Sequence, residues 1–405
     1  MNPNLQKLHA YPFARLGGLL ADLKPQQPPL SLALGEPQHR APDFLVRAMQ
    51  EEATLREGFG RYPATEGTIG LRNAISTFIG QRFTPARCDP DRHILPVNGT
   101  REALFSVAQA LADPGERPLA IIPNPFYQIY EGAALLAGLD IFYLNESSHN
   151  QWNAAPQALD AQLLKQVGLI YLCNPGNPHG RVLSEQDLTA WIQLSQTHRI
   201  PIICDECYSE IYDDEANPPP GLLTVAAQLG LSDFNLCLVF NSLSKRSNLP
   251  GLRSGFVAGD PELIEAFRLY RTYHGSAMAL HTQWVSTLAW QDEVHVVESR
   301  ALYREKFQTF LSIVEPVWPM QRPSASFFLF PEIPVIRGLA PQDDEAFTRW
   351  LFEHAGIRVL PGSYLSREAE GVNPGAGHVR IALVEAEAQV EAAARRIVQA
   401  IAESS

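Results

Sequence analysis

The chain has 405 residues, 45% of them hydrophobic and 19% charged, a balance that fills a large core and excludes a disordered or low-complexity protein. Its 32 basic and 44 acidic side chains leave a formal charge of −12, a field that repels polyphosphate, so nucleic acid is not an expected partner. No apolar stretch approaches the roughly 18 to 20 residues of a membrane helix, the first residues lack the basic-then-apolar build of a secretion signal, and five cysteines fit a reducing cytoplasm.

In chain order, the first chemically loaded segments are Leu34-Gly35-Glu36-Pro37 and Gly60-Arg61-Tyr62-Pro63. Asn98-Gly99-Thr100-Arg101 then opens a helical pattern over 101–112. Short, wholly apolar runs follow at 119–122, 141–144, 169–173, 200–204, 236–240 and 255–258. Helical periodicity lies between most of them, as at 130–137 and 185–197. Strands apolar on both faces and alternating with helices predict a mostly parallel sheet sandwiched by helices, an α/β fold. From about residue 263 the pattern changes. One long helical stretch to 310 precedes short strands at 327–330, 358–360 and 379–383, and a helix over 385–403 closes the chain. The expected organisation is an arm over 1–44 that contributes to a smaller domain, a large domain over 45–282, and a smaller α+β domain over 283–405.

In such sheets ligands gather beyond the carboxyl ends of the strands, so the polar residues after each run become the candidates. After 169–173 comes Asn174-Pro175-Gly176-Asn177-Pro178-His179-Gly180. After 200–204 comes Asp205-Glu206-Cys207-Tyr208, and after 236–240 comes Asn241-Ser242-Leu243-Ser244-Lys245, with Arg253 further on. Free N–H groups of Gly99, Thr100 and Arg101 at a helix start attract phosphate, and Ser242, Ser244 and Arg253 complete an anion cradle. A lysine at a strand end near other cations has its amine pKa lowered toward imine-forming reactivity. A carboxylate under a heteroaromatic nitrogen keeps that nitrogen protonated and the ring electron-poor. The set fits pyridoxal phosphate chemistry.

The run Ser242-Leu243-Ser244-Lys245-Arg246-Ser247-Asn248-Leu249-Pro250-Gly251-Leu252-Arg253 occurs in order with the Asn177 and Asp205 motifs. Together they resemble the fold type I aminotransferases, the aspartate aminotransferase superfamily. The resemblance extends from about Gly35 to Leu383. Within it, Pro123-Asn124-Pro125-Phe126-Tyr127 and Tyr273-His274-Gly275-Ser276-Ala277-Met278 are similar to the bacterial N-succinyldiaminopimelate aminotransferases. Two departures stand out: His179 replaces a usual threonine, and Ser254 a usual aliphatic residue.

The resemblance implies a role for each candidate. Lys245 is the lysine that holds the cofactor and moves the substrate α-proton. Asp205 partners the ring nitrogen, Tyr208 and Asn177 the phenolic oxygen, and Tyr127 stacks on the ring. Gly99, Thr100, Arg101, Ser242, Ser244 and Arg253 hold the phosphate. Tyr62 reaches the phosphate of the other subunit of a homodimer, so that the active site is shared. Arg380, whose planar fork suits a carboxylate, grips the substrate with Gly35 and Asn177. Arg101, with Arg15 as the weaker alternative, is the expected ligand of a distal carboxylate. The implied reaction is transamination from glutamate to N-succinyl-2-amino-6-oxopimelate. Other aminotransferases, such as an aspartate enzyme, and a C–S lyase share the same cofactor site. A cofactor-binding regulator is the remaining alternative, disfavoured by the intact Lys245. Cys204 and Cys207 form a C-x-x-C with no second pair at suitable spacing, so no metal is implied.

Overall fold

A computed structural model describes residues 1–153 and 155–404. Ala154 and Ser405, which fall within the expected large and small domains, lie outside them. The six apolar runs are all strands of one seven-stranded sheet, in the spatial order Ile94–Val97, Gly255–Gly259, Cys237–Ser242, Ile202–Asp205, Val167–Cys173, Leu119–Asn124, Asp140–Asn145. Pairing is parallel from Cys237–Ser242 through to Asp140–Asn145. Gly255–Gly259 runs antiparallel to both of its neighbours, so the sheet is mostly rather than wholly parallel. The seventh strand, Ile94–Val97, is not expected from the sequence because Pro96 interrupts its run. It lies at the sheet edge, where a missing N–H does not break a ladder.

Successive side chains of a strand point to opposite faces, and the sheet buries both. Ile121, Ile170 and Ile202 pack with Trp191, Phe78 and Trp290 on one side. Their immediate neighbours Ile122, Tyr171 and Ile203 pack with Leu104, Val107 and Tyr130 on the other. Asp205 and Ser242 are the last residues of their strands rather than loop residues, so their positions are fixed by ladder hydrogen bonds.

The helical stretch over 263–310 is three helices, not one: Pro261–His274, Leu280–Gln291 and Val294–Val314. Gly275 ends the first in the left-handed conformation (φ 83°), the usual role of a glycine at a helix C-terminus. Asp292 separates the second from the third and accepts the His295 N–H at 3.1 Å.

Beyond these, Phe307, Phe310, Trp318, Phe347, Leu351, Ile381 and Ile397 form a second core around an antiparallel sheet of Leu360–Pro361, Val379–Ala382 and Phe328–Leu329. The run expected as one strand at 358–360 is divided. Ile357–Arg358 pairs with Leu30–Ser31 of the N-terminal arm, and Leu360–Pro361 pairs with the strand that carries Arg380. The arm is thereby tied to this second core, and the loop after it, with Gly35, is led toward the end of the large sheet.

Candidate active site

A cavity of about 440 Å³ opens at the carboxyl ends of the parallel strands. Gly35, Thr100, Arg101, Tyr127, Asn177, Asp205, Tyr208, Ser242, Ser244, Lys245, Arg253 and Arg380 all line it, and Gly99 adjoins it through Arg253. One expected site residue stands apart: Tyr62 is fully exposed and does not line the cavity of its own chain.

Lys245 sits in a single turn that begins where the strand Cys237–Ser242 ends. Its Nζ donates to the Gly35 carbonyl at 2.6 Å and lies over the Phe327 ring at 5.2 Å. Burial, opposed by the thiol of Cys207 and the carboxylates of Glu36 and Asp205, pushes its pKa down to about 8, the direction a nucleophilic amine needs. Asp205 is buried at the end of the neighbouring strand. Its carboxylate accepts the Tyr130 hydroxyl at 2.7 Å and the Cys207 N–H at 3.1 Å, and no ion pair occupies it among the described residues. Burial raises its pKa against these hydrogen bonds and against Lys245. A cation placed on this carboxylate would relieve that burial.

Arg380 presents the mirror case. Its guanidinium is buried, lies 4.3 Å from the Phe328 ring centroid and donates to Asn177 Oδ1 at 3.1 Å and the Ala33 carbonyl at 3.0 Å. Its Nε has no partner and no carboxylate faces it among the described residues. Burial pushes its pKa down to about 10. A desolvated guanidinium without an anion is a site for one.

The third feature is the start of the helix Thr100–Leu111. Its N-cap Gly99 has φ 82° and no side chain caps the first turn, leaving N–H groups directed at the cavity. The conformation favours glycine, and a Cβ at Gly99 would also displace the Arg253 guanidinium from its place beside the helix start. Arg253 is held by the Pro250 carbonyl at 2.8 Å. Ser242 Oγ accepts the Ser244 N–H at 3.1 Å, and Thr100 Oγ1 is 3.0 Å from Cys207 Sγ.

Pyridoxal phosphate fits this arrangement: an uncapped helix start with an arginine for its phosphate, a buried acid for its ring nitrogen, and an amine of lowered pKa for its aldehyde. Several participants carry no motif of their own. Tyr130, which holds Asp205, reads in sequence as one of many apolar-helix residues. Tyr11, Leu34, Gln128 and Phe328 line the cavity but give no local signal beyond, for Tyr11, an aromatic in the arm. Arg101 lies at the cavity over the Tyr11 ring. Arg15 instead stacks on Tyr364 at 3.6 Å and pairs with Glu345, outside the cavity. His179, the departure from threonine, stacks on Trp152 and reaches Glu146 at 3.2 Å. Ser254 Oγ accepts from Ser286 Oγ at 2.7 Å. All five cysteines are free thiols, no metal-binding cluster occurs among the described residues, and none of the described helices is long and apolar enough to cross a membrane.

Comparison with known proteins converges on the same chemistry. The family model for aminotransferase class I and II matches residues 27–397. A crystal structure of an aminotransferase from Neisseria meningitidis is 43% identical, with a TM-score of 0.92 over 99% of this chain and 100% of that one. An aminotransferase AspB from Helicobacter pylori is 34% identical, with a TM-score of 0.87 over 98% and 99% of the two chains. A curated LL-diaminopimelate aminotransferase from Desulforudis audaxviator is 26% identical over 91% of each chain. The chain belongs to the class I and II aminotransferases, enzymes whose cofactor is pyridoxal phosphate.

Proposed function

We propose that this aminotransferase moves an amino group from glutamate to N-succinyl-2-amino-6-oxopimelate, a keto acid with carboxylates far from the reacting carbon, and that it does so in the cytoplasm as a homodimer. The observation that carries the reading is the cavity's charge. Arg380, Arg101, Arg253 and Lys245 line it against one carboxylate lining residue, Asp205, so it suits a substrate with two or more carboxylates beside a phosphate.

When bound, pyridoxal phosphate supplies a carbonyl that condenses with amino groups and a ring that withdraws electrons from the substrate α-carbon. The chain's own residues then divide the work. Asp205 keeps a positive charge at the ring nitrogen. Tyr208 lines the same cavity, and Asn177, whose Oδ1 is engaged by Arg380, has its amide NH₂ left to donate toward the ring's phenolic oxygen. Tyr127 stacks on the ring, and the helix start with Ser242, Ser244 and Arg253 holds the phosphate. Arg380 fixes the α-carboxylate by two parallel hydrogen bonds, which presents the α-hydrogen to Lys245. The Lys245 amine would take that proton as the general base and carry it to the cofactor's aldehyde carbon. Arg101, which has no ion-pair partner among the described residues, meets the distal carboxylate.

The dimer draws support from one face. Phe59, Tyr62, Tyr273 and Trp284 are exposed, Phe59 packs on His281 and Thr272 bonds Thr65, so these segments adjoin. An exposed aromatic patch of this kind suits a subunit interface, and Tyr62 within it would enter the neighbouring subunit's cavity.

A second reading is favoured by the relatives named LL-diaminopimelate aminotransferase: an acceptor of the same carbon skeleton without the succinyl group. Assay of 2-oxoglutarate release from glutamate with the succinylated and the unsuccinylated acceptor separates them. We expect the higher kcat/KM for the succinylated acceptor, and the reverse ranking would exclude it as the favoured substrate. Aspartate, aromatic and C–S lyase substrates belong in the same panel.

A further inference from the structure

A buried lysine lies outside the cavity and is joined to it. Lys306, on the helix Val294–Val314, is 3% exposed. Its Nζ donates to His39 Nε2 at 2.7 Å and to the Val384 carbonyl at 3.0 Å. The His39 ring packs on Tyr303 with centroids 4.4 Å apart. An ammonium has only protons to offer, so His39 Nε2 must be a bare lone pair and the ring neutral, with its proton on Nδ1. That proton faces Ser299 Oγ at 3.4 Å. Ser299 Oγ in turn accepts from Asn248 Nδ2 at 2.8 Å.

Both ends of this chain of contacts return to the active site. Asn248 stands in the same motif as Lys245, in the left-handed conformation (φ 53°), where an asparagine is tolerated better than most residues. His39 ends the segment that begins at Gly35, whose carbonyl accepts Lys245 Nζ at 2.6 Å. Val384 follows the strand that carries Arg380. Gly35 packs closely on Phe328, where an added Cβ would meet the ring at 2.5 Å.

We propose that His39, in its neutral form, is a positioning residue for the reaction: its bond to Lys306 pins the 35–39 segment and thereby sets the Gly35 carbonyl against Lys245. Protonation of the ring removes the acceptor and sets two cations side by side, which releases the segment. The titratable groups facing the pair are Tyr303 on the same helix as Lys306, and Glu385 and Glu387 at the start of the closing helix. Arg40, next in the chain, turns to Asp43 at 3.0 Å and is exposed. Burial, then Lys306, pushes the His39 pKa down to about 4, and burial pushes Lys306 to about 8. A histidine lowered on folding resists protonation until below its ordinary range. The pair is therefore intact at neutral pH, and its contribution is lost between the ordinary 6.5 and about 4 as pH falls.

The idea rests on Lys245 being the reactive lysine, and its test begins with the cofactor-free protein so that the two fail separately. The His39 ring protons, followed by NMR, should titrate near pH 4 in the wild type and move toward 6.5 in Lys306→Met. Amide exchange over 34–39 should stay slow in His39→Gln, which keeps an acceptor, and quicken on the order of tenfold or more in His39→Leu. Pyridoxal phosphate capture by Lys245 should slow in His39→Leu and recover in His39→Gln, with kcat changed more than KM. A wild-type His39 midpoint near 6.5, or 34–39 exchange unchanged in His39→Leu, would overturn the latch. Unchanged capture in His39→Leu with faster exchange would overturn its role at Lys245. Should His39→Leu fail to fold, the His39→Gln and Lys306→Met measurements decide. Failure of the Lys245 reading would show differently, as no capture in the wild type.

Discussion

Among the described residues, Lys306 is buried and Lys245 half-buried at a cavity wall, and desolvation pushes both to a pKa of about 8. Lys306 is sealed in packing, with two of its three donors on His39 and the Val384 carbonyl. Lys245 faces a cavity of about 440 Å³, with one carbonyl as partner and Asp205 and Arg380 across the space. The same contrast separates two buried arginines. Arg246 packs on Phe78 and Trp290, pairs with Glu293 and donates to the Ala289 and Asp292 carbonyls, with only its Nε unpartnered. Arg380 shares the free Nε but has no carboxylate partner among the described residues. Desolvation prepares a group for chemistry, but the unfilled partner and the adjoining space decide whether it meets a substrate.

Substitution sharpens that contrast, beginning with the largest effect. Lys245→Ala removes both the attachment point and the proton carrier, and single-turnover rates with glutamate should fall on the order of 10⁴-fold or more. Lys306→Met, by comparison, should still capture the cofactor on Lys245, only more slowly, because it breaks the bond to His39 but removes no lysine from the cavity. Arg380→Lys keeps a charge but loses the fork, and KM for every amino donor should rise roughly 10- to 100-fold, measured by initial rates. Arg101→Ala should raise KM for dicarboxylic substrates only, by about tenfold, the scale of a partly exposed charge pair with its solvent screening. An unchanged KM for glutamate in that variant would move the distal carboxylate elsewhere.

Much of this was legible in the chain. Six of the seven strands of the large sheet announce themselves because strands buried on both faces must be apolar throughout. The site residues do so because turns after those strands carry their polar groups in fixed order, from Asn177 to Arg253. What was not legible depends on geometry between distant segments. Pro96 masks an edge strand. The split between Ile357–Arg358 and Leu360–Pro361 is set by different partners, one of them in the N-terminal arm. Tyr130 is an ordinary helix residue until the sheet brings it to within 2.7 Å of Asp205. The pairing of His39 with Lys306 spans 267 positions, and no local pattern encodes it.

The most direct test incubates the protein with pyridoxal phosphate across pH, reduces it with borohydride and maps the modified peptide. The adduct should fall on Lys245 and not on Lys306. Its rate of formation should climb about tenfold per pH unit, as the free amine fraction grows, until about pH 8 and then level. An adduct on another lysine, or a rate still climbing toward the ordinary 10.5, would contradict the account.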